Sequence, residues 1–177
     1  IKVEEGTPIG TKGLLNGVEY TVVDFWTLKY MIDSGEDVTK VCTSRITDMG
    51  SMFYGTSYNQ DLSSWDVSNV TTMSSMFTNA QNFNQDLSAW DVSKVMNLNS
   101  MFYDASSFNQ DLNAWDVSNV TDMTSMFSDA SSFNQNIANW DISSVTVMDH
   151  MFGNTSGLNH TNKGEIHKTF SSTPNWT

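Results

Sequence analysis

Apolar residues along 83–107 fall at Phe83, Leu87, Trp90, Val92, Val95, Leu98, Met101, Phe102 and Ala105, and their spacing changes halfway through. Leu87, Trp90 and Val92 follow an L-x-x-L-x-L rhythm, which predicts a short strand with Trp90 and Val92 turned inward and Asp91 turned outward. From Val95 onward the gaps are three, three, one and three residues, the signature of a helical or 3₁₀ turn on the opposite side. Ser93 stands where a hydroxyl caps that turn. The same pattern recurs: Trp65, Trp90, Trp115 and Trp140 are 25 positions apart and an Asp follows each. A fixed period of this size means stacked supersecondary units. Four fuller units begin at Tyr58, Phe83, Phe108 and Phe133, and residues 46–53, ITDMGSMF, are the back half of an earlier one. The predicted fold is a repeat solenoid, with short parallel β-strands on one face, helical or 3₁₀ turns on the other, and a cap at each end.

The flanks read as those caps. Residues 1–45 form an N-terminal arm and cap, in which 1–17 is a Gly-rich, loosely held linker and 18–23 alternates as a strand. Asp24 caps a helix over 25–33 that places Phe25, Trp26, Leu28, Met31 and Ile32 on one face, and Gly35 stops it. Residues 46–153 are the solenoid. Residues 154–177 are the C-terminal cap, with Ile166 and Phe170 one turn apart on a short helix over 162–170, and Pro174 and Trp176 folding back over the last coil.

Stacking such units sets Trp on Trp, Phe on Phe and Met on Met at roughly the 4.8 Å of paired strands. Trp65, Trp90, Trp115 and Trp140 are then a core ladder rather than an exposed platform, and Met76, Met101, Met126 and Met151 are packing rather than ligands. The Asn-Gln pairs at 59 and 60, 84 and 85, 109 and 110, and 134 and 135 predict side-chain amide ladders that satisfy buried turn carbonyls.

Charge narrows the partners. The net charge is −12, and 46–153 holds twelve Asp, no Glu and one base, Lys94, so the repeats carry −11 of it. That polarity excludes nucleic acid and anionic membrane surfaces, which need Lys or Arg clusters, and favours cations or partners with basic patches. No apolar run approaches the length of about 20 residues that spans a bilayer, and no signal-peptide pattern is visible. The start at Ile1 without Met reads as a mature product or a piece of a longer chain, and Cys42, alone, makes no internal disulfide.

Two aspartate columns are the candidate site. Asp66, Asp91, Asp116 and Asp141 share one outward position and form the candidate ligand or partner surface. Asp61, Asp86 and Asp111, followed by Asn136 in the last unit, form a second column and are the candidate metal ligands. Like charges about 5 Å apart repel by roughly 1 kcal/mol per pair even in water. Hydrogen bonds from neighbouring amides or Ser hydroxyls, a Ca²⁺ ion, or a basic partner would each offset this. No Ca²⁺ loop with alternating acids and a distal Glu is present. No cofactor is required on this reading, and Ca²⁺ is the candidate ion.

Enzyme readings fare worse. His150, His160 and His167 lack metal-ligand spacing, Cys42 has no His at a telling distance, and there is no phosphate loop or nucleophile elbow. A ladder of identical aspartates does not create the two environments that an acid and a nucleophile need.

The unit FNQDLSxWDVSNVTxMxSMFxxASS resembles the repeat of a bacterial surface-protein leucine-rich-repeat family, the BspA-like or lipoprotein-like group found in adhesins. The likeness covers 46–153 and extends to the flanking YTVVD…VTKVCTS and NKGEIHKTFSSTPNW. It implies a right-handed solenoid with a parallel sheet, an extracellular or cell-surface location, and a non-catalytic binding or adhesion module of a larger surface protein. Its partner would be a protein or another cell-surface ligand. Two alternatives stand beside it: a spacer or self-associating module, such as a homodimer bridged by Ca²⁺, and a carbohydrate-binding domain using exposed aromatics.

Overall fold

The structure is a computed structural model that describes residues 2–4, 6–173 and 176. Five regular elements occur among them: β1 (Lys12–Leu15), β2 (Val18–Val22), α1 (Phe25–Asp33), β3 (Val41–Cys42) and α2 (His160–Phe170). They form one sheet of order β1-β2-β3 and two helices, and between β3 and α2 no strand or helix is formed.

The leucine-rich-repeat solenoid expected from the sequence is therefore overturned. Trp-Asp-Val segments do not pair as strands. Parallel pairing occurs further along each unit, as single bridges Asp48↔Thr72, Thr72↔Asn97, Asn97↔Asp122 and Asp122↔Val147. The Met-Phe segments are not helical either. Their N–H groups alternate: Met52 and Tyr54 donate three residues back to Met49 and Ser51, while Ser51, Phe53 and Gly55 donate to Ser74, Met76 and Thr78 at 2.8–2.9 Å. A helix would keep every such bond local and a strand would export them in step with an extended backbone, so this segment is neither. Left-handed residues break the helical run in each unit, at Ser51 and Gly55, Ser75 and Asn79, Ser100 and Asp104, Ser125 and Asp129, and His150 and Asn154. Asn, Asp and Gly tolerate that conformation, and the Ser positions give no comparable signal.

What the sequence pattern describes correctly is the inside. The apolar positions of the units belong to one core cluster that runs from Val23 to Phe170. Phe53, Phe77, Phe102, Phe127 and Phe152 stack with ring centroids 5.2, 5.6, 5.6 and 5.7 Å apart. Phe83 sits against Phe77, and Phe108 against Phe102, at 3.9 and 4.0 Å. The Trp rings are further apart, 6.4 Å for Trp65 and Trp90 and 6.5 Å for Trp115 and Trp140, well beyond the expected strand spacing. Backbones tie neighbouring units on the Met-Phe side. On the wider Trp side, side chains bridge them instead.

The N-terminal cap is more structured than its Gly content suggests. Asn16 and Gly17, with φ of 52° and 78°, close a two-residue hairpin that makes β1 out of part of the supposed linker. β2 then pairs in parallel with β3, Val22 opposite Cys42. The Asp24 carboxylate accepts from Thr27 N at 2.8 Å and starts α1. Leu28 and Ile32 are buried beneath it and Phe25 and Met31 pack on the core, but Trp26 does not join that face, being 76% exposed. At the far end α2 starts two residues before the expected 162, because Asn159 caps it by accepting from Asn162 N at 2.9 Å. Ile166 and Phe170 are buried, and the edge of Trp176 packs on Phe170 at 5.4 Å. The expected role of Pro174 lies outside the described residues.

Candidate interaction surface

Each aspartate of the outward column is held by its own chain two residues on. Asp66, Asp91 and Asp116 accept through Oδ1 from the N–H and the hydroxyl of Ser68, Ser93 and Ser118, the hydroxyl bonds all at 2.6 Å. Asp141 accepts from Ser143 N at 3.0 Å. The second column repeats the device: Asp61, Asp86 and Asp111 accept at 2.8 Å from the N–H of Ser63, Ser88 and Asn113. Asn136 does the same for Ala138 at 3.0 Å. These are Asx turns that satisfy a backbone donor locally. They hold the Asp91 carboxyl below its ordinary value, through the Ser93 hydroxyl first and then its N–H. Asp86 is lowered chiefly by the Ser88 N–H.

The two columns do not come together as a metal site. No group of three or more His, Cys, Asp or Glu that could hold a metal ion occurs among the described residues. No member of either column is in an ion pair among the described residues: Lys12 with Glu19 and Lys29 with Asp33 lie in the N-terminal cap. Lys94, the one base of the repeats, donates to Asn69 Oδ1 at 2.8 Å, and with Lys2 it adds a weaker electrostatic pull on Asp91 after the Ser93 bonds. Asp91, Asp116 and Asp141 are exposed and form an acidic face, whereas Asp66 is half-buried with its Oδ2 buried and unpartnered.

The tryptophans lie behind this face. Trp65, Trp90, Trp115 and Trp140 are only 3–4% exposed. Each indole N–H donates to a backbone carbonyl one unit back: Trp65 to Val38 at 2.9 Å, Trp90 to Leu62 at 3.2 Å, Trp115 to Leu87 and Trp140 to Leu112 at 3.0 Å. The ladder thus offers no stacking platform, and the exposed aromatics are Trp26, Tyr30 and Tyr54 at the N-terminal end. Asn residues form a second bridge. Asn59, Asn84, Asn109 and Asn134 each accept through Oδ1 from the backbone N–H of the Asn one unit on, at 2.8–2.9 Å. Gln85, Gln110 and Gln135 donate back to Asn59, Asn84 and Asn109. The amide ladder satisfies backbone carbonyls, with Gln85, Gln135 and Asn162 donating to the carbonyls of Asn59, Asn109 and Asn134, and it satisfies N–H donors as well, at positions that are exposed or half-buried. The remaining candidates stay scattered: His167 accepts from Trp176 Nε1 at 2.9 Å, and Cys42 is buried with its sulfur 3.4 Å from Ser44 Oγ.

A family described as "Mycoplasma protein of unknown function, DUF285" matches over residues 25–118 and 97–172. The chain belongs to that family. This corrects the resemblance to BspA-like leucine-rich-repeat proteins, which rested on the repeated unit and its flanking segments. The DUF285 description assigns no activity, and no curated protein and no solved structure matches the chain.

Proposed function

We propose that this DUF285 chain is a non-catalytic binding module displayed at a cell surface as part of a larger protein, and that it recognises a basic partner through the exposed members of the outward row, Asp91, Asp116 and Asp141. The observation that supports this reading is the charge imbalance of the face itself. Between 46 and 153 the chain carries twelve Asp against one base, Lys94, which hydrogen-bonds Asn69 and pulls weakly on Asp91. The Asx turns use Oδ1 of each carboxylate, which leaves the second oxygen of the exposed members for a partner. Regular spacing of like charges on rigidly tied units favours a partner with repeated Lys or Arg, gaining on-rate and specificity more than raw affinity.

Beads coated with the chain and presented to a panel of cells and immobilised basic proteins test the reading. Retention should fall when Asp91, Asp116 and Asp141 are changed together to Asn, since Asn keeps the turn, as Asn136 does natively. Retention no better than that of beads coated with an unrelated acidic protein would overturn it.

A further inference from the structure

We propose that a second copy of this chain docks head to tail on the last unit, its residues 47–54 completing the backbone row left open at 146–154. The geometry is carried by pairs already made inside the molecule. Met123, Ser125, Phe127 and Asp129 donate from their N–H groups to the carbonyls of Val147, Asp149, Met151 and Gly153 at 2.7–2.9 Å. In return Thr146 N donates to Thr121 O at 2.8 Å. The same set of bonds joins each earlier pair of units. Among the described residues the row ends there: the N–H groups of Met148, His150, Phe152 and Asn154 and the carbonyl of Thr146 meet no hydrogen-bond partner in the chain.

The first unit presents the complement. The carbonyls of Asp48, Gly50, Met52 and Tyr54 and the N–H of Thr47 likewise meet no partner among the described residues. Thr47, Asp48, Ser51, Tyr54 and Gly55 are exposed at one end, and Thr146, Val147, Asp149, His150 and Asn154 at the other. Carrying the internal register forward sets Met148 N on Asp48 O of the second copy, His150 N on Gly50 O, Phe152 N on Met52 O and Asn154 N on Tyr54 O. Thr47 N of the copy returns to Thr146 O.

An ordinary extended peptide does not match this edge. His150 and Asn154 are left-handed, with φ of 57° and 53°, and bend the row every four residues. Ser51 and Gly55, at 55° and 66°, bend the first edge with the same spacing. The row borders an open pocket of about 620 Å³ lined by Met148, His150 and Phe152 together with Lys163, Ile166 and His167 of α2, whose Ile166 and Phe170 remain seated in the core. Trp26 and Tyr30 are 76% and 68% exposed on α1 of the N-terminal cap. Such a contact is heterologous, so it does not close at two copies.

Sedimentation velocity on the whole chain, from micromolar to millimolar concentration, reads the outcome. The weight-average mass should rise with concentration and continue past the dimer. In the proposed register Val147 faces Asp48 of the second copy, so V147E should raise the dissociation constant about fourfold and V147K lower it by a similar factor, for unit charges about 5 Å apart in water. D48N should restore V147E, because Asn preserves the turn that Asp48 makes with Gly50 N at 2.7 Å. Thermal melts of each variant separate lost association from lost folding, V147E also lying beside Asp122 of its own chain. A monomer throughout the range, growth that stops at two copies, or an equal response to V147E and V147K would overturn the proposal.

Discussion

Replacing Trp115 with Phe tests what holds the units together on their wider side. The ring is 4% exposed, and its Nε1–H donates to Leu87 O at 3.0 Å across a sequence separation of 28 residues. No backbone bond ties Trp115 to a neighbouring unit, because its own N–H turns back to Leu112 O. Phe therefore removes the bridge and leaves Leu87 O with the Trp90 N–H at 3.0 Å as its remaining donor, so the lost bond costs about 0.5–1.5 kcal/mol. The smaller ring leaves a void worth about 1 kcal/mol more. The sum, about 1.5–2.5 kcal/mol, is a sizeable share of the 5–15 kcal/mol typical of a whole protein. Urea unfolding followed by fluorescence of the remaining tryptophans measures it, with W26F as the control, since Trp26 is exposed and should stay within about 0.5 kcal/mol. A W115F loss below about 1 kcal/mol, or one no larger than that of W26F, would refute the reasoning.

At Asp91 the carboxylate serves as a cap as well as a charge. D91A should cost about 1 kcal/mol in the same unfolding assay, whereas D91N should be nearly neutral because its Oδ1 still accepts from Ser93. The Asp91 and Asp86 carboxyls are both lowered in the folded chain, so the stability they contribute is fully present above the unfolded value of about 3.9 and lost as the pH falls below it. An acid titration of the melting temperature should therefore fall less steeply for D91N than for the parent. Gly157 lies where the last turn enters the approach to α2, and a Cβ there would meet Ser131 O at 2.4 Å and the Ser132 carbonyl carbon at 2.9 Å. G157A should destabilise by about 1–3 kcal/mol, a cost that a thermal melt would show as a fall of several degrees.

The interior was legible because period and hydrophobicity are direct statements about packing. Trp90, Val92, Leu98, Met101 and Phe102 are buried in the core that their spacing calls for. Helix α1 was legible from Asp24, Gly35 and the apolar face between them, except that Trp26 breaks that face. The backbone of the units was not legible. L-x-x-L-x-L is compatible with a strand and with a chain of turns, and in the Met-Phe segment the helical spacing is overridden by the left-handed conformation at Ser75, Ser100 and Ser125, a residue type with no strong preference for it. The β1–β2 hairpin was hidden by reading Gly17 as linker composition when Asn16-Gly17 between Leu15 and Val18 is a turn signal. In the candidate site the outward Asp column could be read from alternation with Trp, and the partner of each carboxylate was in view as the Ser two residues on. The indole-to-carbonyl bridges could not be read, since they depend on which backbone oxygen the neighbouring unit presents.

The central proposal is that charge on the exposed row Asp91, Asp116 and Asp141, rather than fold or capping, carries recognition. Calorimetric binding of an oligolysine probe to the parent and to the variant carrying D91N, D116N and D141N together tests it most directly, at low and at moderate salt. The account predicts binding that weakens with salt, is reduced about tenfold or more in the variant, and leaves the melting temperature of the variant nearly unchanged. Equal affinity of parent and variant for the probe at low salt would contradict it.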